Sequence, residues 1–239
     1  MKINYIILLV LFIAATSFKK KVNSNCIDDI IKLEHKIYSK KYAEGEKPLY
    51  VNYDIKTIDW ENNTINSSVK IYRGHNNLHF FSTQANIYQD EKDILMVLKT
   101  QKIIVRENSS EKIVNNGVNE EFIQVKRKFL EGCELVKCEN SPTSKSVKIV
   151  ELKVTDDMKG LLYIDKMAYL YNPTANKLIK SIISYKKGYK VKRIEIKYNQ
   201  LNLASDYKFY SAKKYVLSKK NTLLAKYSAY ELIDNREEK

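Results

Sequence analysis

From Leu49 onward, apolar residues recur at every second position over short stretches. Leu49, Val51, Tyr53 and Ile55 alternate with Tyr50, Asn52, Asp54 and Lys56, and Val69, Ile71 and Arg73 alternate with Lys70 and Tyr72. A period of two sends successive side chains to opposite faces, so each stretch predicts a strand with one buried face. Residues 78–82, 85–88, 94–98 and 103–106 add further short strands, and the joints between them are polar. The Glu61-Asn62-Asn63 cluster and Gly74 read as turns. Strands at this spacing predict an antiparallel meander.

Two stretches break the pattern. Over 27–42, Ile27, Ile30, Ile31, Glu34, His35 and Tyr38 fall on one helical stripe. Asp28 and Asp29 suit its first turn, and Lys40 and Lys41 suit its last. Over 119–131, Phe122, Val125, Phe129 and Leu130 recur at helical spacing, Glu120 and Glu121 stand near the start, and Gly132 marks the end. Period two then returns over 147–152, 167–171, 178–185 and 189–198, with Asn172-Pro173-Thr174-Ala175-Asn176 and Gly188 as joints. Residues 223–233 fit either a last strand or a short helix. The fold class is therefore α+β, built on an antiparallel sheet.

The first 17 residues read as an export signal: Lys2, an apolar run from Tyr5 to Ala15, then the small residues Ala15-Thr16-Ser17. The run is shorter than the ~20 residues that span a bilayer, and Lys19-Lys20-Lys21 closes it. An uncleaved anchor is the rival reading. Cys26 stands near a lipid-attachment position, but Asn23-Ser24-Asn25 before it are polar, which argues against lipidation. The expectation is an exported, periplasmic protein with one domain over 18–239.

The chain carries a net charge of +14, which favours acidic partners. Anionic lipid and polysaccharide are candidates for peripheral contact at the cell envelope. No nucleic-acid motif accompanies the scattered lysines, so nucleic acid is not expected as a partner. Eighteen tyrosines suit half-buried strands, where the ring packs and the hydroxyl reaches water. A face that contacts carbohydrate or lipid is the sharper reading.

No motif carries catalysis. No Ser stands in a Gly-flanked nucleophile turn, and the acidic pairs Asp156-Asp157 and Glu120-Glu121 read as a solvated turn and a helix start. His75 and His79 have i, i+4 spacing, but Gly74 and Asn76-Asn77 make a turn there, so exposed turn histidines are expected and no metal site. No cofactor and no enzymatic activity are expected. Cys133 and Cys138 stand too far apart to bridge on one continuous helix. If Gly132 ends the helix the chain can curl, and export favours oxidation. A Cys133–Cys138 bridge is therefore expected, leaving Cys26 over.

The order of helix, meander strands, helix and long meander strands resembles the bacterial lipoprotein carriers LolA and LolB. The likeness runs from about Ile27 to Ile233 and includes Ile30-Ile31-Lys32-Leu33 and Ala168-Tyr169-Leu170-Tyr171. The Lys-, Asn- and Ile-rich style also looks like exported proteins of the Bacteroidetes group. The resemblance implies a curved sheet, a half-open barrel, with helices packed on its concave face over a cavity for an acyl chain or lipoprotein. It also implies an arginine that latches the lid helices, for which Arg73 is the candidate. Val51, Tyr53, Ile55, Trp60, Phe80 and Phe81 are the expected ligand contacts. A structural envelope protein with a filled core and a basic surface is the alternative.

Overall fold

The computed structural model describes residues 24–38, 42–109, 120–155 and 163–236. The expected export signal, Lys40 and Lys41, and Asp156-Asp157 lie outside these residues. The fold is α+β: among the described residues twelve strands form one open sheet in which antiparallel pairing dominates, with three α-helices. The chain divides into two compact units. One holds Lys40–Gly117 and Ile194–Lys239; the other holds Met1–Ser39 and Val118–Arg193.

In the first unit the chain runs through β1 (Leu49–Ile58), β2 (Thr64–Arg73), β3 (Leu78–Phe81), β4 (Ala85–Gln89), β5 (Asp93–Leu98) and β6 (Ile103–Asn108). Each strand pairs antiparallel with the next, as the alternation predicts. The β11 strand (Arg193–Asn202) lies beside β1, and the short β12 (Glu231–Asp234) closes the other side, parallel to β6. Residues 223–233, expected as one strand or one helix, divide instead. Leu223 makes an isolated bridge to Leu217, Ala225–Tyr227 form a 3-10 turn, and only the end is strand.

One face of this meander is covered by its own C-terminal segment. Tyr88, Leu95, Val97 and Ile104 pack against Ala212 and Val216 of the short helix α3 (Ala212–Val216), together with Leu217 and Tyr227. Asp90 fastens the segment, for its Oδ2 accepts the Ala212 N–H at 2.7 Å. A buried ion pair lies beside it. Arg106 Nε donates to Asp93 Oδ1 at 2.7 Å, and Arg236 and Lys213 stand 3.6 and 3.8 Å from the same carboxylate.

The second unit is a four-strand meander of β7 (Glu134–Ser141), β8 (Ser144–Lys153), β9 (Ile164–Asn172) and β10 (Lys177–Tyr185). It also holds two helices, α1 (Ser24–Tyr38) and α2 (Glu120–Gly132). α1 begins three residues earlier than its apolar stripe suggested, so Asp28 and Asp29 stand beyond the first turn. They serve as anchors instead. The Tyr171 hydroxyl donates to Asp29 Oδ2 at 3.0 Å, and Asp28 faces Arg127 of α2 at 3.6 Å. Glu34, buried on the stripe, pairs with Lys126 at 2.5 Å. Cys26, Ile27, Ile30, Ile31 and Leu33 supply the apolar face, while His35, expected on the stripe, is exposed.

The expected Cys133–Cys138 bridge is not formed. Cys138 is bonded to Cys26, 112 residues away, and Cys133 is a buried free thiol. The reason is local. Directly after Gly132 the chain does not curl but extends into β7, carrying Cys138 away, while Cys133 Sγ turns back to donate to the Phe129 carbonyl. Residues 189–192, expected in a strand, belong to the β10–β11 connection, because Tyr185 N–H donates to the Lys192 carbonyl and closes a loop.

Candidate functional site: an apolar sheet face

Residues directly opposite one another in a ladder share a face. The register of the first unit therefore defines an apolar row across seven strands: Val51, Ile71, Phe80, Ile87, Met96, Val105 and Ile233. Tyr53 and Val69 extend it on one side, and Leu98 and Ile103 continue it farther along. This is the face opposite the one that carries Tyr88, Leu95 and Ile104. The two faces are buried to different degrees. Leu95 and Ile104 are 0% exposed, whereas Ile71, Phe80, Ile87, Met96, Val105 and Ile233 are all half-buried.

The structure brings four of the expected contacts to this face and places two elsewhere. Val51, Tyr53, Ile55 and Phe80 share it by register. Phe81 follows Phe80 by one residue and so takes the opposite face, edge-on to Tyr88 at 5.7 Å and to Tyr72 at 6.2 Å. Trp60 sits in the β1–β2 turn, where Asp59 Oδ1 accepts the Asn63 N–H. Ile87, Met96 and Val105 join the same face without any sign in the sequence: alternation marks their strands, but only the register shows which side of each strand joins Phe80.

Arg73 lies at one border of the same face, opposite Leu49 and Leu78. Its guanidinium stands over the ring of Tyr42 at 5.5 Å. Burial pushes the Tyr42 hydroxyl above its usual range, and the Arg73 charge opposes that shift. His75 Nδ1 donates to the Tyr42 carbonyl at 2.7 Å, so both residues hold the segment that leads into β1.

The histidines are not the exposed turn pair that their spacing suggested. His75 is half-buried in the turn, and His79 lies within β3, 0% exposed. Five aromatic rings meet His79 edge-on: Phe81, Tyr88, Tyr207, Phe209 and Tyr215. Its Nδ1 lies 2.8 Å from the Tyr207 hydroxyl, and burial pulls its pKa down to about 4. Among the described residues, no three His, Cys, Asp or Glu side chains gather as metal ligands.

No family model matches the chain, and no curated protein matches it. Among solved structures it is similar to a conserved protein from Thermus thermophilus, at 8% identity over 88% of this chain and 99% of that chain, with a TM-score of 0.43. It is similar to a LolA superfamily protein from Nitrosomonas europaea at 12% identity, over 79% of this chain and 96% of that chain, with a TM-score of 0.32. It is also similar to an outer membrane lipoprotein-sorting protein domain from Vibrio parahaemolyticus, at 10% identity over 81% and 98% of the two chains, with a TM-score of 0.35.

Proposed function

We propose that this is an exported periplasmic protein, without enzymatic activity, that binds or carries an apolar ligand such as a lipid, an acyl chain or a lipoprotein. The ligand lies along the row from Ile71 to Ile233. One observation carries the reading: six large apolar side chains in that row are only half-buried, while on the other face Tyr88, Leu95, Val97 and Ile104 are buried against the chain's own C-terminal segment. Each methylene that an acyl chain lays on such a face gains about 0.8 kcal/mol relative to water. The Cys26–Cys138 bridge supports an oxidising compartment outside the cytoplasm. In this reading Arg73 and Tyr42 hold one border of the face in place.

Native mass spectrometry after gentle purification tests the proposal by revealing co-purified lipid. Titration with a fluorescent fatty acid adds a direct measure. Phe80→Lys combined with Met96→Lys weakens binding at least severalfold in a chain that still melts cooperatively. No lipid in the purified protein, together with no binding of the probe, would overturn the reading.

A further inference from the structure

Three tyrosines of the second unit form a ladder beside a lysine-rich loop. Tyr189 lies between Tyr185 and Tyr163, with ring centroids 4.5 and 5.8 Å away and planes inclined by 20° and 25°. Tyr185 is buried and anchors the stack, whereas Tyr163 is 53% exposed and ends it. The loop between β10 and β11 reads Lys186-Lys187-Gly188-Tyr189-Lys190-Val191-Lys192, four cations in seven residues with no acid, and Arg193 opens β11 directly after it.

The loop is held, not loose. Tyr185 N–H donates to the Lys192 carbonyl at 2.9 Å and closes its base. Tyr189 N–H donates to the Lys186 carbonyl and forms a turn, in which Gly188 takes a φ of +100° that a side chain would strain. Lys186 N–H donates to the Tyr163 carbonyl at 2.9 Å. Tyr163 itself has a φ of +52°, a conformation unusual for a bulky residue. The fold thus ties the exposed Tyr163 to a loop on which Lys187 and Lys190 are also exposed.

We propose that this tyrosine ladder and its basic loop form a docking tip for an anionic phospholipid membrane surface. Two features favour a bilayer over a nucleic acid or a polysaccharide. Bases and sugars are recognised by stacking on open ring faces, but both faces of Tyr189 are taken by its neighbours. Tyr163, which ends the stack 53% exposed, offers the amphipathic ring and hydroxyl that tyrosine presents at headgroup depth. Clustered lysines supply attraction to the negative leaflet, each adding favourable energy near the surface. The tip uses none of the residues of the apolar sheet face, so it stands or falls separately from the carrier reading.

Co-sedimentation of the full chain with phosphatidylcholine vesicles, with and without phosphatidylglycerol, tests the proposal. The wild type is expected to bind the anionic vesicles and to release as salt rises. Lys187→Glu with Lys190→Glu lowers vesicle affinity about tenfold or more, while fatty-acid binding and the melting temperature stay unchanged. Tyr163→Gly keeps the left-handed backbone, removes the exposed ring and lowers affinity severalfold. Equal binding to neutral vesicles, binding that does not respond to salt, or wild-type affinity in the charge-reversed chain overturns the proposal. Retention by an acidic polysaccharide in preference to the vesicles does so too.

Discussion

Cys26 in the first turn of α1 is bonded to Cys138 on β7, with their Cα atoms 6.4 Å apart. The bridge closes a loop of 112 residues and ties a helix near the start of the described chain to a strand at its middle. In the chain-entropy model a loop of that length is worth about 4–5 kcal/mol through the unfolded state.

Removing that bridge gives the first prediction. Cys26→Ser or Cys138→Ser lowers stability by up to about 4 kcal/mol, and dithiothreitol lowers the wild type to the same level. Guanidinium denaturation with and without reductant measures both effects. Thiol titration supplies a count: one free thiol per chain in denatured, unreduced protein, belonging to Cys133. Burial pushes that thiol up to about 12, so it does not react until the chain unfolds.

The second prediction concerns Gly74 and Phe209. A Cβ built on Gly74 would stand 2.8 Å from Phe209 Cε2, and the Phe209 ring also meets His79 at 5.0 Å. The ring cannot withdraw without disturbing the aromatic cluster. Gly74→Ala therefore costs about 1–3 kcal/mol, the range for overpacking a filled site. Gly45 has open space around the same position. Its substitution instead costs only what a φ of +78° imposes on a side chain, about 1 kcal/mol. Thermal melts of the two variants separate crowding from backbone strain.

What the sequence made legible follows from side-chain period. Where a strand buries one face, as in β5 with Asp93, Leu95 and Val97 buried, alternation marks it. The β7 strand went unread because Glu134, Lys137 and Glu139 interrupt it and only Ser141 is buried, so no apolar period exists to find. The split between Phe80 and Phe81 needed the register. Two adjacent aromatics cannot share a face, and composition does not say which one turns inward. The bridge partner of Cys138 was hidden for a different reason. A contact across 112 residues leaves no local trace, whereas Cys133 lay close in sequence and looked like the natural choice.

The third prediction concerns Arg106 and Asp93. Both side chains are 4% exposed, and Arg106 also reaches Asp234 of β12 at 3.5 Å. Removing one member of a buried pair strands the other charge, at a cost of about 3–5 kcal/mol. Arg106→Leu is expected to show the lower part of that range, because Arg236 and Lys213 still face the Asp93 carboxylate at 3.6 and 3.8 Å. Arg106→Leu combined with Asp93→Asn recovers most of the loss, because no bare carboxylate is left. A double-mutant cycle by chemical denaturation reads the coupling. If the single and double variants were equally unstable, the pair would not be what holds this corner of the sheet.

His79 sets the pH dependence. The ring is neutral in the folded chain because burial disfavours the imidazolium among five aromatic rings. Its pKa falls from 6.5 to about 4, so between those values the unfolded chain binds the proton and the folded chain does not. The His79 contribution is therefore fully present above pH 6.5, declines as pH falls through the acid range, and is spent below about 4. The integrated loss is about 3 kcal/mol. Denaturation midpoints taken at steps between pH 7 and pH 4 trace this slope. His79→Phe keeps an aromatic ring in the box and removes the titrating group, so its midpoint loses the His79 share of the slope even if its absolute stability differs. A slope that survives in this variant at its wild-type value would assign the acid sensitivity to other groups.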